Sequence, residues 1–237
     1  MMIQRVLSIV VIAFTISLFS CKHSNDGLFE EMTGANIHFV NTLSETDTFN
    51  VFKYRNFYNG GGVATGDLNN DGLPEIFFTA NQGPNKLFLN KGNWQFEDIS
   101  EKAGFGNKAQ WSTGVVFVDI NSDGWLDIYV CNAGQMLDSN LRRNQLFINN
   151  KNLTFTEKAA EYGLDNNGYT TQASFFDYDL DGDLDCFIAN NSPIPVNTLN
   201  YANSRNVPAE QAPVAAFLRG GGDHLYRNDD GRFKEVT

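Results

Sequence analysis

Three nine-residue segments concentrate the chemistry of this sequence: Asp67-Leu-Asn69-Asn-Asp71-Gly72-Leu73-Pro-Glu75, Asp119-Ile-Asn121-Ser-Asp123-Gly124-Trp125-Leu-Asp127 and Asp177-Tyr-Asp179-Leu-Asp181-Gly182-Asp183-Leu-Asp185. Positions 1, 3 and 5 hold a carboxylate or an amide, position 6 is Gly, and position 9 is Glu or Asp. Oxygen donors spaced by two, a Gly free to take positive φ and a later carboxylate that closes the cage are what a hard, oxygen-seeking cation requires. The backbone carbonyl at position 7, from Leu73, Trp125 or Asp183, supplies a further ligand. Calcium fits best, because it accepts six to eight oxygens in loose geometry where magnesium prefers a stricter octahedron with several waters. The expectation is up to three Ca2+ sites. The third loop makes the strongest case, since five Asp crowd into nine residues and repel one another without a cation. The first is the weakest, because Glu75 is longer than the Asp of its sisters.

The same opening pattern begins an EF-hand, which also needs a bidentate Glu at position 12 and flanking helices. Position 12 is Phe78, Val130 or Ile188, apolar and inside a strand-like run, so that reading fails. Asx-rich hairpin turns held by side-chain-to-backbone bonds, without metal, are the alternative.

The elements that must position these loops repeat with them. The copies begin 52 and then 58 residues apart. Each is preceded by a strand-like segment (Gly62–Gly66, Gly114–Val118, Gln172–Phe176) and followed by another (Ile76–Ala80, Ile128–Cys131, Cys186–Ala189). A third element runs Asn85–Asn90, Asn144–Asn149 and Asp223–Asn228, and a fourth is marked by Phe96, Phe155 and Phe233. Short helical turns at Ile99–Ala103 and Lys158–Tyr162 read as connectors between units. Four short strands per unit, with 20 Phe and 21 Gly in the chain, predict an all-β fold of β-propeller blades, each of four antiparallel strands. Three units are fewer than the four to eight blades of a closed propeller, so the expectation is an incomplete N-terminal part of a larger one.

These units resemble FG-GAP/VCBS-type repeats, the calcium-loop blades of integrin α-chain propellers. The phrases Gly66-Asp-Leu-Asn-Asn-Asp-Gly72 and Asn85-Lys-Leu-Phe-Leu-Asn90 resemble bacterial repeat proteins of the ASPIC/UnbV and cartilage-acidic-protein type. The resemblance covers roughly Gly34 to Thr237 and implies a calcium-stabilised propeller used for adhesion or ligand binding at a cell surface. The literal Phe-Gly and Gly-Ala-Pro words of the repeat are not evident.

At the N-terminus, Arg5 precedes the apolar run Val6–Phe19, which is shorter than a spanning helix needs. Leu18-Phe19-Ser20-Cys21 resembles the lipobox of bacterial lipoproteins. The expectation is a signal peptide over 1–20, lipidation at Cys21, a polar tether over 21–33 and blades over 34–237. Export to the bacterial cell envelope, with a lipid anchor in the outer membrane, follows from that reading. The remaining Cys131 and Cys186 sit at offsets of twelve and nine from their loop's first Asp, on opposite faces of equivalent strands, which predicts two buried thiols and no bridge.

The net charge of −11, from 28 acidic and 17 basic residues, argues against a nucleic-acid partner. Eleven of those 28 acids lie in the three loops. No nucleophile elbow or phosphate-cradling loop is present, and His23, His38 and His224 are scattered. Catalytic residues are therefore expected to be none, and the chain reads as a cell-surface binding, adhesion or scaffold module for an extracellular protein or glycan. The alternative is the propeller part of an extracellular hydrolase or lyase whose catalytic domain lies beyond Thr237. An insertion over about 191–222 carries Pro193, Pro195, Pro208 and Pro213 and reads as a binding element or a surface loop.

Overall fold

Short runs of Phe, Val and Ile, bounded by Gly, Asn and Asp, pair as strands because β-branched and aromatic side chains pack on a pleated surface while the bounding residues accept turns. The computed structural model describes residues 28–29, 31–106, 110–134, 138–191 and 222–237. The leader over 1–20, Cys21 and the interior of the 191–222 insertion lie outside the described residues. Residues 34–237 form one compact unit and residues 1–33 another.

Within 34–237 the chain forms three four-stranded sheets. They comprise β1 (Val63–Gly66), β2 (Glu75–Phe78), β3 (Lys86–Asn90) and β4 (Phe96–Asp98); β5 (Ser112–Val118), β6 (Asp127–Asn132), β7 (Gln145–Asn149) and β8 (Phe155–Glu157); and β9 (Thr170–Phe176), β10 (Asp185–Asn190), β11 (His224–Asp229) and β12 (Arg232–Glu235). Strands follow sequence order within each sheet and pair antiparallel. This is the all-β, blade-like architecture expected. The helical connectors are single turns, α1 (Ser100–Ala103) and α2 (Ala159–Tyr162), each closed by a left-handed Gly, Gly104 at φ 99° and Gly163 at φ 80°. The residue after each Gly, Phe105 or Leu164, is buried and donates its amide back to the first residue of the turn. These are left-handed C-caps that redirect the chain toward the next sheet.

Register is conserved from sheet to sheet. Gly66 pairs with Glu75, Val118 with Asp127 and Phe176 with Asp185, so each acidic loop is the hairpin between the first and second strands, and its ninth position opens the second. Successive sheets pack face to face. Leu68, Phe77 and Leu87 of the first unit meet Val115, Ile128 and Val130 of the second. Val118, Tyr129, Cys131 and Leu146 of the second meet Ala173, Cys186, Ile188 and Tyr226 of the third. The first strands approach backbone to backbone: a Cβ on Gly114 would lie 2.5 Å from Thr171 O, and one on Gly62 2.7 Å from Thr113 O. Side chains there are excluded by contact between strands.

Cys131 and Cys186 are both buried and free. The parity argument holds, and the packing adds to it. Opposite faces of equivalent strands in consecutive sheets meet each other, so the two thiols share one core cluster. Burial pushes both thiols above their ordinary pKa.

Candidate metal centre

The three loops fold alike because the same residues satisfy the same backbone groups. The position 1 carboxylate accepts two amides across the turn. Asp67 takes those of Asp71 (3.1 Å) and Gly72 (2.7 Å), Asp119 those of Asp123 (2.9 Å) and Gly124 (2.9 Å), and Asp177 those of Asp181 (3.2 Å) and Gly182 (3.1 Å). The position 5 carboxylate accepts the amide of position 7: Asp71 from Leu73 (2.8 Å), Asp123 from Trp125 (3.0 Å) and Asp181 from Asp183 (3.1 Å). Such Asx contacts shape the turn without a metal.

Gly72, Gly124 and Gly182 take positive φ, as expected. Position 4 does so as well, with Asn70 at φ 57°, Ser122 at 55° and Leu180 at 65°. Asn tolerates that conformation, whereas Leu, whose Cβ crowds the following carbonyl, does so at a cost of about 1 kcal/mol. Leu180 is 86% exposed and loses little packing on replacement. Leu180→Asn is expected to stabilise the protein by about 1 kcal/mol, read as a rise in the urea midpoint. An unchanged or lower midpoint would contradict this account of the turn.

Position 9 behaves differently from the rest of the loop. Glu75, Asp127 and Asp185 are at most 1% exposed. Each accepts one amide from loop position 2 (Leu68 at 2.7 Å, Ile120 at 3.2 Å, Tyr178 at 2.9 Å) and one from the Asn at or next to the end of the third strand (Asn90 at 3.4 Å, Asn149 at 2.8 Å, Asn228 at 2.8 Å). That Asn returns its own side-chain amide to the residue before position 9, the carbonyl of Pro74, Leu126 or Leu184. Carboxylate and Asn thus form a reciprocal clamp across the second and third strands. Sequence reasoning marked the recurring Asn90, Asn149 and Asn228 without giving them a role. Burial, reinforced by the neighbouring carboxylates, pushes Glu75 and Asp127 each up to about 6.

The loops differ in how their acids converge. Among the described residues, Asp177, Asp179 and Asp185 are the carboxylates that bring ligand atoms within 4.8 Å of one another. Two oxygens on one calcium at 2.3–2.6 Å can be at most about 5 Å apart, so that spread suits donors sharing one ion. Asp183 Oδ1 is buried with no hydrogen-bond partner. Burial and the surrounding carboxylates raise the pKa of both Asp179 and Asp183. No ion pair among the described residues neutralises a third-loop acid. An all-oxygen donor set, an orphaned buried oxygen and negative charge that no ion pair among the described residues offsets together fit a divalent cation. Asp181 stands outside this triad.

In the first two loops the position 3 amide donates to the position 5 carboxylate, Asn69 to Asp71 at 2.9 Å and Asn121 to Asp123 at 3.3 Å. Lys151 Nζ lies 3.2 Å from Asp123 Oδ2, so a lysine already offsets charge at the second loop. These two loops adjoin, for Asn70 Nδ2 donates to Gly124 O at 3.0 Å. Of the residues whose carbonyls were expected as ligands, Leu73 has an exposed side chain and Trp125 a partly exposed one.

Comparison with known proteins adds a sequence relationship over this region. A family model described as an FG-GAP-like repeat matches residues 67–130, from the first Asp of loop one into β6. Cartilage acidic protein 1 from Xenopus tropicalis is 42% identical over 74 residues, which is 31% of this chain and 11% of that protein. Its namesakes from Mus musculus and Homo sapiens are each 39% identical, over 69 and 72 residues, covering 29% and 30% of this chain. The matched segment spans about a tenth (11%) of the length of each of these relatives. The stretch that holds the first two acidic loops is thus similar to an FG-GAP-like repeat, and about three-tenths of the chain is similar to part of the cartilage acidic protein 1 sequence.

Proposed function

We propose that this chain is a calcium-stabilised binding or scaffold module, exported and held on the cell envelope by a lipid on Cys21, with metals that are structural. The observation that carries the reading is the third loop, where Asp177, Asp179 and Asp185 converge beside the orphaned Asp183 Oδ1. Bound there, a calcium ion would supply the positive charge that the loop lacks and pin the β9–β10 hairpin. Ligands at positions 1 and 3 come from the turn, and position 9 ties them to the buried clamp, so the ion would couple an exposed loop to the core. In loops one and two, the same role would fall to Asp67, Asn69, Asp71 and Glu75 and to Asp119, Asn121, Asp123 and Asp127. The FG-GAP-like repeat and the cartilage acidic protein relatives favour a non-catalytic module over the hydrolase or lyase reading.

Terbium, which replaces calcium at oxygen-rich sites, tests this directly through Trp125 in the second loop. Adding Tb3+ is expected to give indole-sensitised emission that calcium competes away, and isothermal titration is expected to show at least one calcium site. Asp179→Ala should remove the third site from the titration. A protein that releases no heat with calcium and no emission with terbium would overturn the reading.

A further inference from the structure

At the ends of the first strands opposite the acidic loops lies a cavity of about 390 Å³. Its walls are the starts of β5 and β9, through Thr113, Thr171 and Gln172, together with the Gly60–Gly62 run and Asn56 and Asn59 from the segment that leads into β1. That segment is held firmly. Tyr54 and Phe57, both at most 1% exposed, pack with Trp111 and Tyr169 in an aromatic cluster. Ring contacts run from Tyr54 to Trp111 (5.6 Å) and from Phe57 to Trp111 (5.2 Å).

Asn56 sits between those two anchors and is 7% exposed. Its Oδ1 accepts Asn191 Nδ2 at 3.2 Å, while its own Nδ2 lies beside the Tyr54 hydroxyl without a hydrogen bond of good geometry. Buried polar atoms are almost always paired, because an orphan forfeits its hydration without return. Among the described residues the one other such side-chain atom is Asp183 Oδ1, at the proposed metal site. An unsatisfied donor in the wall of a cavity large enough for a small molecule points to a ligand that supplies an acceptor.

The lining restricts what that ligand can be. Among the described residues it holds amides, hydroxyls and bare glycine backbone, and no Asp, Glu, Lys, Arg or His, in a protein whose net charge is −11. A charged ligand would find no counterion there. Side-chain amides and hydroxyls both donate and accept, which is the complement of a ligand carrying several alcohol groups. We propose that this cavity binds a neutral, hydroxyl-rich ligand, a saccharide of one or two rings, through Asn56, Asn59, Gln172 and the two threonines. The proposal deepens the binding-module reading by giving it a ligand class and a place, and it does not depend on the metal loops.

The experiment is saturation-transfer NMR on the full mature chain with glucose, galactose, N-acetylglucosamine and maltose, with glucuronate as the charged control. At least one neutral sugar is expected to show saturable transfer that glucuronate does not. Asn56→Ala and Gln172→Ala should each weaken that binding roughly tenfold or more, the loss of about 1.4 kcal/mol. Gln172 is exposed at the rim, so its replacement leaves the fold intact and keeps the test decisive if Asn56→Ala fails to fold. No transfer from any neutral sugar, equal transfer to glucuronate, or binding undiminished in Gln172→Ala would each overturn the proposal. Terbium emission recorded on the same samples separates this outcome from failure of the calcium reading.

Discussion

Removing calcium with a chelator is expected to lower the melting temperature of the protein by at least about 5 °C. A ligand that binds only the native state at 100 times its dissociation constant contributes about 2.7 kcal/mol per site. For a domain of this size each kcal/mol moves the midpoint by about 2–4 °C, so one filled site gives roughly 5–10 °C and further sites extend it. The effect should be largest through the third loop, because Asp177, Asp179 and Asp185 stand within mutual reach and no ion pair among the described residues compensates them. At the second loop Lys151 already sits beside Asp123, and a calcium ion there must displace that attraction. The ordering follows: Asp179→Ala should remove most of the chelator response, and Asn121→Ala less. A differential scan that superimposes with and without chelator would sink the structural-metal reading. A response retained in full by Asp179→Ala would move the site to another loop.

How much of this was legible beforehand depends on the range of the interaction. The loops could be read because their ligands recur every second residue and Gly marks position 6, all within nine residues. The strands around them could be read for the same reason, and the pairing of Val118 with Asp127 places the loop where its spacing put it. Position 4 escaped notice because Asn70, Ser122 and Leu180 share a left-handed backbone and no residue type. The sequence ranked the third loop first on its five Asp, but why its acids converge depends on whether position 3 is Asn, which donates to position 5, or Asp179, which cannot. Cys131 and Cys186 show a third kind of gap. Strand parity was read correctly, but only the stacking of consecutive sheets reveals that opposite faces become neighbours.

The asparagine clamp was the least legible feature, and it carries the second large prediction. Asn149 is 3% exposed. Its Nδ2 donates to Leu126 O at 3.0 Å and to Leu68 O at 2.8 Å, the latter 81 residues away in the neighbouring unit, and its Oδ1 accepts Lys151 N at 2.8 Å. Nothing local in the sequence announces partners that are backbone atoms so distant. Asn149→Ala would leave one buried carbonyl, one part-buried carbonyl and a part-buried amide unpaired, at about 1–3 kcal/mol for each group that water cannot reach. The expected total is about 3 kcal/mol, read as a fall in the urea midpoint with unchanged slope. The loss should be nearly the same with calcium and with chelator, because Asn149 holds the units together through the backbone and keeps its own amide to Asp127 after substitution. A midpoint at the wild-type value would show that the clamp is incidental. A loss seen only with calcium present would instead make Asn149 part of the metal site, and position 9 would then owe its burial to the ion rather than to the sheet.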